Sequence, residues 1–559
     1  MLKLLFGGVV LAAAALAADR PAGRAGRSVV WARNGMVATS QPLAVQAGLR
    51  ILQQGGNAVD AAVATAAALA VVEPMSTGLG GDMFALVYHA RSDKLHALNA
   101  SGFSPAAASV EFFTGRGLNA VPMYGPFSVS VPGAVDGWAA LLQKFGSMKF
   151  EQVLAPAIEY AENGFPVTAQ IGYEWGSYGR PLAQADPEFA RALFLPDANG
   201  ARPPVQGEIF VNKPLGSTLR HIAAGGRDAF YKGEIARRIA SRLQGLGWPL
   251  SVEDLAQQRS DWVEPISTTY KGYRLYEMGP NTQGMAALTM LNILESFDLA
   301  KLGHNSAAYL HLLIEAKKLA FADLYAWLAD PAKARLPVDQ IISKEYARKR
   351  RAQIDPKRAG PPAVSGIPSS YQWRLSRGDT AYLTVVDKDR NAVSFISSIF
   401  QNFGSGVVVP DTGIVLQDRG ALFTLSDDHP NRLEGRKRPY HTIIPAMVFR
   451  DGKPWLSFGV MGGDMQPQGH VQVLLNMIEF GMNVQEAGEA PRWHHSPASG
   501  VSFEPGFAAG TAKELAAAGH RLSSVTPHFG GYQAIQIDWK NGTLAGGSDP
   551  RKDGCAAGW

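Results

Sequence analysis

The stretch GDTAYLTVVDKDRNAVSFISSIFQNFGSG, residues 378–406, decides how this chain is organised. It holds two runs rich in β-branched and aromatic residues, Ala381–Val386 and Ala392–Phe400, with a short charged turn between them. This pattern predicts a β-hairpin. Thr380 follows Asp379 at the start of the first strand, so its side chain is predicted to lie at one end of a sheet.

The residues before the hairpin have a different composition. Between residues 355 and 370 Pro, Gly, Ala and Ser dominate and neither helix nor strand periodicity is visible, which indicates a loop or linker. A helix-rich first part therefore precedes a strand-rich second part, in an order that is not a simple βαβ alternation. In the first part we predict helical structure over 37–72, interrupted at Gly55–Asn57, a strand over 84–88, mainly helices over 134–350 and a helix over 307–328. In the second part we predict strands near 406–409, 414–417, 443–449 and 455–458 and a helix near 471–480.

Composition excludes several classes of protein. Hydrophobic residues make up 46% of the chain and charged residues 18%, which is incompatible with a mainly disordered protein. The formal net charge of +5 is small for 559 residues, and the basic run 348–351 is interpreted as a solvated helix face, so no nucleic-acid partner is expected. A single cysteine, Cys555, excludes an intramolecular disulfide and a cysteine-based zinc cluster.

The first residues resemble an export signal. Lys3 precedes an apolar run over residues 4–17 that ends in Ala15-Leu16-Ala17, a small-x-small cleavage pattern. The run is too short to span a bilayer comfortably, and no later stretch is long and apolar enough to do so. We therefore expect a signal peptide over 1–17, a secreted or periplasmic mature protein, and no membrane anchor.

Common catalytic and metal-binding signatures are absent from the sequence: it has no Gly-x-Ser-x-Gly, His-Glu-x-x-His or Walker motif. His311 and Glu315 stand four residues apart on a predicted helix, but no third ligand is apparent, so a helix-face contact is preferred to a metal site. The pair His494-His495 is equally weak evidence. The glycine-rich segment 78–81 precedes a strand and opens no helix, which argues against nucleotide binding. We expect no metal and no cofactor.

Thr380 offers one chemical possibility. An internal threonine hydroxyl is a poor nucleophile, but a cut between Asp379 and Thr380 would give it a free α-amine with a pKa of about 7.7–8.0. That amine can act as general base for its own hydroxyl. From the residues alone, Gly-Asp-Thr also fits an ordinary turn into a strand, and both interpretations stay open.

Eight segments along the chain resemble the γ-glutamyltransferase family, in the family's order and over nearly the whole mature chain. They are GMVATSQPLAVQAGLRILQQGGNAVDAAVATAAALAVVEPMSTGLGGDMFALVY (35–88), FSVSVPGAVDGW (127–138), HLLIEAKKLAFAD (311–323), the hairpin segment 378–406, KRPYHTIIPAMV (437–448), MGGDMQPQGH (461–470), EAPRWHH (489–495) and GGSDPRKDG (546–554).

The resemblance implies the α/β fold of an N-terminal-nucleophile hydrolase, a four-layer αββα sandwich. It further implies a precursor that cuts itself between Asp379 and Thr380, giving a large subunit (18–379) and a small subunit (380–559) that stay together. The position matching the family's catalytic threonine is Thr380. Gly462 and Gly463 match the pair whose N–H groups form the oxyanion hole, and Ser398 stands where the family usually has a supporting threonine.

Departures from the family concern the substrate. The stretch 98–105, which includes Ser101 and Phe103, lacks the arginine that binds a γ-glutamyl α-carboxylate. An Asp-Asp pair that binds the α-amine is replaced by a segment beginning Asp418-Arg419. The remaining candidate substrate-binding residues are Asp411, Arg419, His441, Thr442 and Asp464, of which His441 and Thr442 replace a Ser-Ser pair.

Three functions remain open. The chain is either a γ-glutamyltransferase or glutathione hydrolase, or an amidase for another acyl group such as an oxamate- or glutaryl-type amide. In both cases the expected partners are a small-molecule amide substrate and the second processed subunit. The third alternative is an inactive secreted binding protein on the same scaffold.

Overall fold

Two seven-stranded antiparallel sheets form the centre of the protein. The structure is a computed structural model that describes residues 26–198, 200–367, 378–525 and 528–559; the predicted signal peptide lies outside these residues. The strands are β1 (Val30–Ala32), β2 (Met36–Thr39), β3 (Asp82–His89), β4 (Lys94–Ala100), β5 (Phe165–Pro166), β6 (Leu195–Asp197), β7 (Gly200–Arg202), β8 (Ile209–Phe210), β9 (Asp261–Val263), β10 (Ile266–Tyr270), β11 (Tyr273–Glu277), β12 (Asp379–Val386), β13 (Ala392–Phe400), β14 (Val408–Val409), β15 (Ile414–Val415), β16 (Ala446–Arg450), β17 (Lys453–Val460), β18 (Trp493–Ser496), β19 (Gly500–Phe503), β20 (Tyr532–Asp538), β21 (Thr543–Ser548) and β22 (Cys555–Gly558).

Along the chain, most of the α-helices fall between strands that belong to the two large sheets. They are α1 (Pro42–Gln53), α2 (Ala58–Val72), α3 (Val110–Thr114), α4 (Ala134–Phe145), α5 (Phe150–Asn163), α6 (Ala169–Ala185), α7 (Pro187–Leu193), α8 (Lys213–Tyr231), α9 (Glu234–Gly245), α10 (Val252–Ala256), α11 (Gly284–Leu294), α12 (Leu299–Leu302), α13 (Ala307–Trp327), α14 (Val338–Ile341), α15 (Lys344–Arg351), α16 (Met465–Ile478), α17 (Val484–Glu489) and α18 (Thr511–Ala517). No helix in the described part of the chain is long and apolar enough to cross a membrane.

The first sheet has the strand order β22-β2-β12-β13-β3-β4-β9, and the second sheet has the order β1-β21-β20-β17-β16-β11-β10. The predicted hairpin, β12 and β13, forms the centre of the first of these sheets, with Leu383 opposite Phe395. The Asp387 carboxylate holds the turn by accepting the N–H groups of Asp389 (2.9 Å) and Asn391 (3.0 Å). The hairpin predicted from the sequence is thus confirmed.

Three hydrophobic layers hold four structural layers together. Alternation along a strand sends successive side chains to opposite faces of a sheet. Leu383 therefore packs with α1 and α2 on the outer face, whereas its neighbour Tyr382 packs against Met447 and Ile535 of the second sheet. On the other side of the second sheet, Val448 packs with α11, α13 and α16. The predicted αββα sandwich is confirmed.

Residues on both sides of the Asp379–Thr380 bond share the same sheets. Strand β12 lies between β13 and β2, with Val385 opposite Val37, and the last strand, β22, pairs with the other edge of β2. A cut at this bond would therefore leave two chains joined by sheet hydrogen bonds and by a common core.

Several sequence-based boundaries were correct and others were not. The helix predicted over 307–328 and the strand over 84–88 are confirmed as α13 and β3. The prediction that residue 37 begins a helix was wrong, because residues 36–39 form β2. The mainly helical middle also contributes two strands to the second sheet, β10 and β11. Residues 355–367 form the irregular connector that the composition predicts.

Candidate active site

The Asp379–Thr380 bond lies at the buried start of β12. Thr380 is 1% exposed, and a bulge between Asp379 and Ala381 interrupts the ladder with β13 at this point. The Thr380 hydroxyl donates to the Asp379 carbonyl oxygen at 2.7 Å, and the Ser398 hydroxyl donates to the same oxygen at 2.8 Å. Two hydroxyls thus converge on the carbonyl of one peptide bond, and one of them, that of Thr380, could attack it.

Ser398 is held in place by the backbone. Its oxygen accepts the N–H of Phe400 at 2.8 Å, so the hydroxyl proton is free to point at the Asp379 carbonyl oxygen. The adjacent Ser397 faces the other way along β13, where its hydroxyl donates to the Asp82 carbonyl oxygen at 3.0 Å. Only one of these two buried serines therefore contacts the Asp379–Thr380 bond.

The glycine pair makes a tight turn between β17 and α16. Gly462 has φ +110° and Gly463 has φ +58°, conformations that a side chain disfavours. Neither N–H donates to another described residue, whereas the Gly463 carbonyl oxygen accepts from Gln283 at 2.9 Å. Gly462 and Asp379 line the same cavity of about 170 Å³. An unpaired amide donor at the cavity, Gly462, followed directly by a second unpaired amide, Gly463, is the kind of donor pair that an oxyanion site requires.

A group of buried charges surrounds the Asp379 side chain. The ammonium of Lys552 lies 3.0 and 3.2 Å from the two carboxylate oxygens, and Ser76 (3.1 Å) and Asn402 (3.2 Å) also donate to this carboxylate. Lys552 contacts Glu174 as well, at 3.1 Å. Burial alone raises a carboxyl pKa, but attraction to Lys552 outweighs it and keeps the pKa of Asp379 below its usual value.

Glu73 belongs to the same group of charges. It is fully buried, and burial raises its pKa to about 7, despite the opposing attraction of Lys552. One of its oxygens accepts from Ser40, and the other has no partner among the described residues. The sequence analysis identified none of these acidic and basic partners. The signal available was that Glu73 and Lys552 fall in the family-like segments 35–88 and 546–554.

Two predicted substrate-binding residues, Ser101 and His441, lie in one buried network. His441 is 2.7 Å from the Asp82 carboxylate, and its other ring nitrogen lies 3.2 Å from the Asn281 amide. The same amide lies 3.3 Å from the Ser101 hydroxyl. Burial lowers the pKa of His441, which favours the neutral ring.

Arg419 and Thr442 form a second contact. The Arg419 guanidinium donates to the Thr442 hydroxyl at 3.0 Å and lies 4.5 Å from the ring centre of Phe400, which is opposite Asp379 in the sheet. Its Nε and Nη2 have no hydrogen-bond partner in the described part of the chain. Burial lowers its pKa to about 10 and raises that of the adjacent Asp418 to about 8. Arg419 is therefore a buried cation with spare donors near the cleavage bond.

The other three predicted residues have different surroundings. Asp464 is buried and accepts from Tyr325 at 2.9 Å, next to the glycine pair. Phe103 is half-buried, with the Arg438 guanidinium 4.4 Å from its ring centre. Asp411 is brought together with none of the others: its side chain is 72% exposed and lies 3.6 Å from Arg191.

His311 and Glu315 have a third neighbour that the sequence did not reveal. His520 lies 2.8 Å from His311, and its other ring nitrogen is 3.9 Å from Glu315. The prediction that no third potential ligand joins the pair was wrong, because His520 is distant in sequence. The three side chains are already engaged, since Glu315 pairs with Lys318 at 2.9 Å and His311 also contacts the Asp355 carbonyl oxygen.

Comparison of the sequence and the structure with known proteins points to one family. The family model described as gamma-glutamyltranspeptidase matches residues 44–559. The chain is 40% identical over 541 residues to the glutathione hydrolase-like YwrD proenzyme of Bacillus subtilis (strain 168), covering 95% of this chain and 99% of that protein. It is 36% identical over 541 residues to the oxamate amidohydrolase proenzyme of Klebsiella pneumoniae, covering 94% and 98%. The crystal structure of cephalosporin acylase from Bacillus halodurans has a TM-score of 0.90 at 43% identity, covering 97% of this chain and 98% of that one.

Proposed function

The chain belongs to the gamma-glutamyltranspeptidase family of N-terminal-nucleophile hydrolases, and from that premise we propose that Thr380 is the nucleophile of a self-cleaving amidohydrolase. The observation that carries the proposal is the pair of hydroxyls, of Thr380 and Ser398, at 2.7 and 2.8 Å from the Asp379 carbonyl oxygen. Hydrogen bonds to this oxygen polarise the carbonyl carbon that the nucleophile attacks.

Processing begins when the Thr380 hydroxyl oxygen attacks the Asp379 carbonyl carbon and the C–N bond breaks. The nitrogen takes up a proton and becomes the α-amine of Thr380, while the Asp379 acyl group is now an ester on the hydroxyl oxygen. Water then hydrolyses this ester. The products are a large subunit that ends at Asp379 and a small subunit of 180 residues that begins at Thr380.

The same hydroxyl then acts on an external amide. The α-amine of Thr380 accepts the hydroxyl proton as the oxygen attacks the donor carbonyl, which is the role of a general base. The N–H groups of Gly462 and Gly463 are the proposed donors to the oxyanion. Collapse of the tetrahedral intermediate breaks the amide C–N bond, the leaving amine takes the proton, and water or another amine then resolves the acyl-enzyme.

The proposed donor is an amide other than a γ-glutamyl compound. The arginine and the Asp-Asp pair that hold the γ-glutamyl group in the family are missing from the matching segments 98–105 and 418–423. The second of these segments instead holds Arg419, with two donor nitrogens that have no partner among the described residues. Relatives named as an oxamate amidohydrolase and a cephalosporin acylase are in keeping with such a substrate. γ-Glutamyl transfer or glutathione hydrolysis is the second candidate, favoured by the relative named glutathione hydrolase-like.

We also propose that the mature protein is exported and begins at or near Ala18. Mass spectrometry of material from the periplasm or medium should find that N-terminus, and an intact Met1 would contradict it. The activity itself is tested by offering the purified protein γ-glutamyl, glutaryl and adipyl anilides and oxamate. Cleavage of at least one donor that is lost in Thr380→Ala supports the proposal. A single uncut chain that cleaves none of them supports the inactive binding protein instead.

A further inference from the structure

The Asp379 carboxylate occupies a polar site that the rest of the chain builds around it. Lys552, Ser76 and Asn402 donate to it from three distant segments, at 3.0 to 3.2 Å. Ser76 is fully buried, and Lys552 is only 8% exposed. An ammonium, a hydroxyl and an amide thus converge on one carboxylate beside the nucleophile.

Processing would remove the carboxylate from this site. According to the proposed function, Asp379 becomes the last residue of the large subunit and leaves so that a donor can reach Thr380. Of its hydrogen bonds to described residues, Lys552 then keeps the one to Glu174 at 3.1 Å, while Ser76 and Asn402 lose the Asp379 carboxylate as acceptor. Buried donors without acceptors are costly, so the vacated site favours a new anion.

We propose that the site vacated by the Asp379 side chain binds a carboxylate on the acyl group of the substrate, with Lys552 as the cation that recognises it. The inference rests on the proposed function and names its substrate class, the monoamides of dicarboxylic acids. It assigns a specificity-determining role to Lys552, Ser76 and Asn402. A donor carboxylate restores the charge that Asp379 supplied before the cut.

The covalent structure of aspartate indicates the reach of this site. In Asp379, two carbon atoms separate the scissile carbonyl from the side-chain carboxylate. The cavity of about 170 Å³ beside it is lined by both Gly462 and Lys552. An acyl group with two carbons between its carbonyl and its carboxylate therefore reproduces the spacing of Asp379, whose carbonyl oxygen lies at the Thr380 and Ser398 hydroxyls and whose carboxylate lies at Lys552. A third carbon lengthens the group by one methylene, next to the cavity. Succinyl and glutaryl amides are the matching donors.

The neighbouring acidic residues provide the rival interpretation. Glu174 and Glu73 lie close to Lys552, and a donor ammonium group could bind to them once Asp379 has left. Among the described residues that line the cavity, the remaining carboxylate is Glu504, and it is paired with Arg551 at 2.5 Å. A preference for anionic or cationic donors decides between the two interpretations.

The test compares donors that differ only in charge. Processed wild-type enzyme is given three anilides of similar size: glutaryl, its neutral carboxamide analogue 4-carbamoylbutyryl, and the cationic 5-aminopentanoyl. We expect kcat/KM for the glutaryl donor to exceed that for the carboxamide at least about tenfold, as for a charge-assisted hydrogen bond. In Lys552→Met the ratio of kcat/KM for the glutaryl donor to that for the carboxamide donor should fall to about one, whatever the absolute rates, and Lys552→Arg should keep part of the preference.

Two further variants locate the effect. Lys437→Met removes another buried lysine, one that approaches a carboxylate only at 4.0 Å, and should leave the donor preference unchanged. Arg419→Met removes a second buried cation, the one that lies on the ring of Phe400 opposite Asp379. If the carboxylate preference is lost in Arg419→Met and survives in Lys552→Met, the carboxylate binds at Arg419 and the inference is wrong.

The wild-type comparison keeps the inference testable even if Lys552→Met fails to process. A carboxamide donor within threefold of the glutaryl donor, or a preferred ammonium donor, would overturn the inference. If either of these results is accompanied by cleavage that depends on Thr380, the inference is wrong but the proposed function still stands. Absence of cleavage for all three anilides, with an uncut chain, would overturn both.

Discussion

Ser398→Ala removes one of the two hydroxyls that donate to the Asp379 carbonyl oxygen. The lost contact is the 2.8 Å hydrogen bond to that oxygen, in a site where Ser398 is fully buried. Loss of one such donor at a developing oxyanion costs about 2.7–4 kcal/mol, or roughly 10²–10³-fold in rate. We therefore expect purified Ser398→Ala precursor to convert to two chains at least about a hundredfold more slowly than the wild type.

The assay is the time course of the uncut band on a denaturing gel. The matched control is Ser397→Ala, the adjacent buried serine, whose hydroxyl bonds to Asp82 and Thr77 and not to the cleavage bond. Ser398→Thr restores a hydroxyl and should restore processing. If Ser398→Ala processes within threefold of the wild type, or if the Ser397→Ala control is slowed equally, the carbonyl contact is not what promotes cleavage.

Two other predictions concern specificity and pH. A γ-glutamyl anilide should not exceed a glutaryl anilide in kcat/KM, because the residues that bind the α-amino and α-carboxyl groups are replaced; an advantage of about a hundredfold (2.7 kcal/mol) for γ-glutamyl would contradict this. Glu73→Gln should flatten the decline of stability between about pH 4.5 and 7. Burial raises the pKa of Glu73 from 4.5 to about 7, so its stabilising protonated form is lost as pH rises through that window, at a cost of about 3 kcal/mol. Thermal unfolding of the wild type and of Glu73→Gln across pH 4–8 measures this difference in stability. Parallel stability curves for the two proteins would contradict the raised pKa of Glu73.

Local patterns predicted the centre of the fold correctly. Alternating β-branched residues around a charged turn are sufficient to define β12 and β13. Apolar residues that recur at helical spacing over 21 positions define α13. Strands β10 and β11 were missed because each has only five residues, partly exposed, inside a stretch that is otherwise helical. The four-layer arrangement came from the family resemblance, since sheet order depends on contacts between segments that are hundreds of residues apart.

The candidate site was predictable only where the family has motifs. Thr380, Ser398 and the two glycines were proposed from such motifs. The carboxylate partners of Asp379 were not, because a single lysine or serine has no local pattern that marks it as a partner of a distant residue. Asp411 is the opposite case: the family resemblance offered it as a substrate-binding candidate because it lies near an acidic position of the family, but it stands in a turn at φ +59° and its side chain is 72% exposed.

The most direct test of the account is the identity of the N-terminus that processing creates. Wild-type protein should give two chains, the smaller beginning at Thr380 with 180 residues, and Thr380→Ala should remain one uncut, inactive chain. Thr380→Ser, which keeps both a hydroxyl and the new amine, should process and retain partial activity. N-terminal sequencing of the small chain together with a gel of the variants decides it. A small chain that begins elsewhere, or a Thr380→Ala protein that still yields two chains, would show that Thr380 is not the nucleophile.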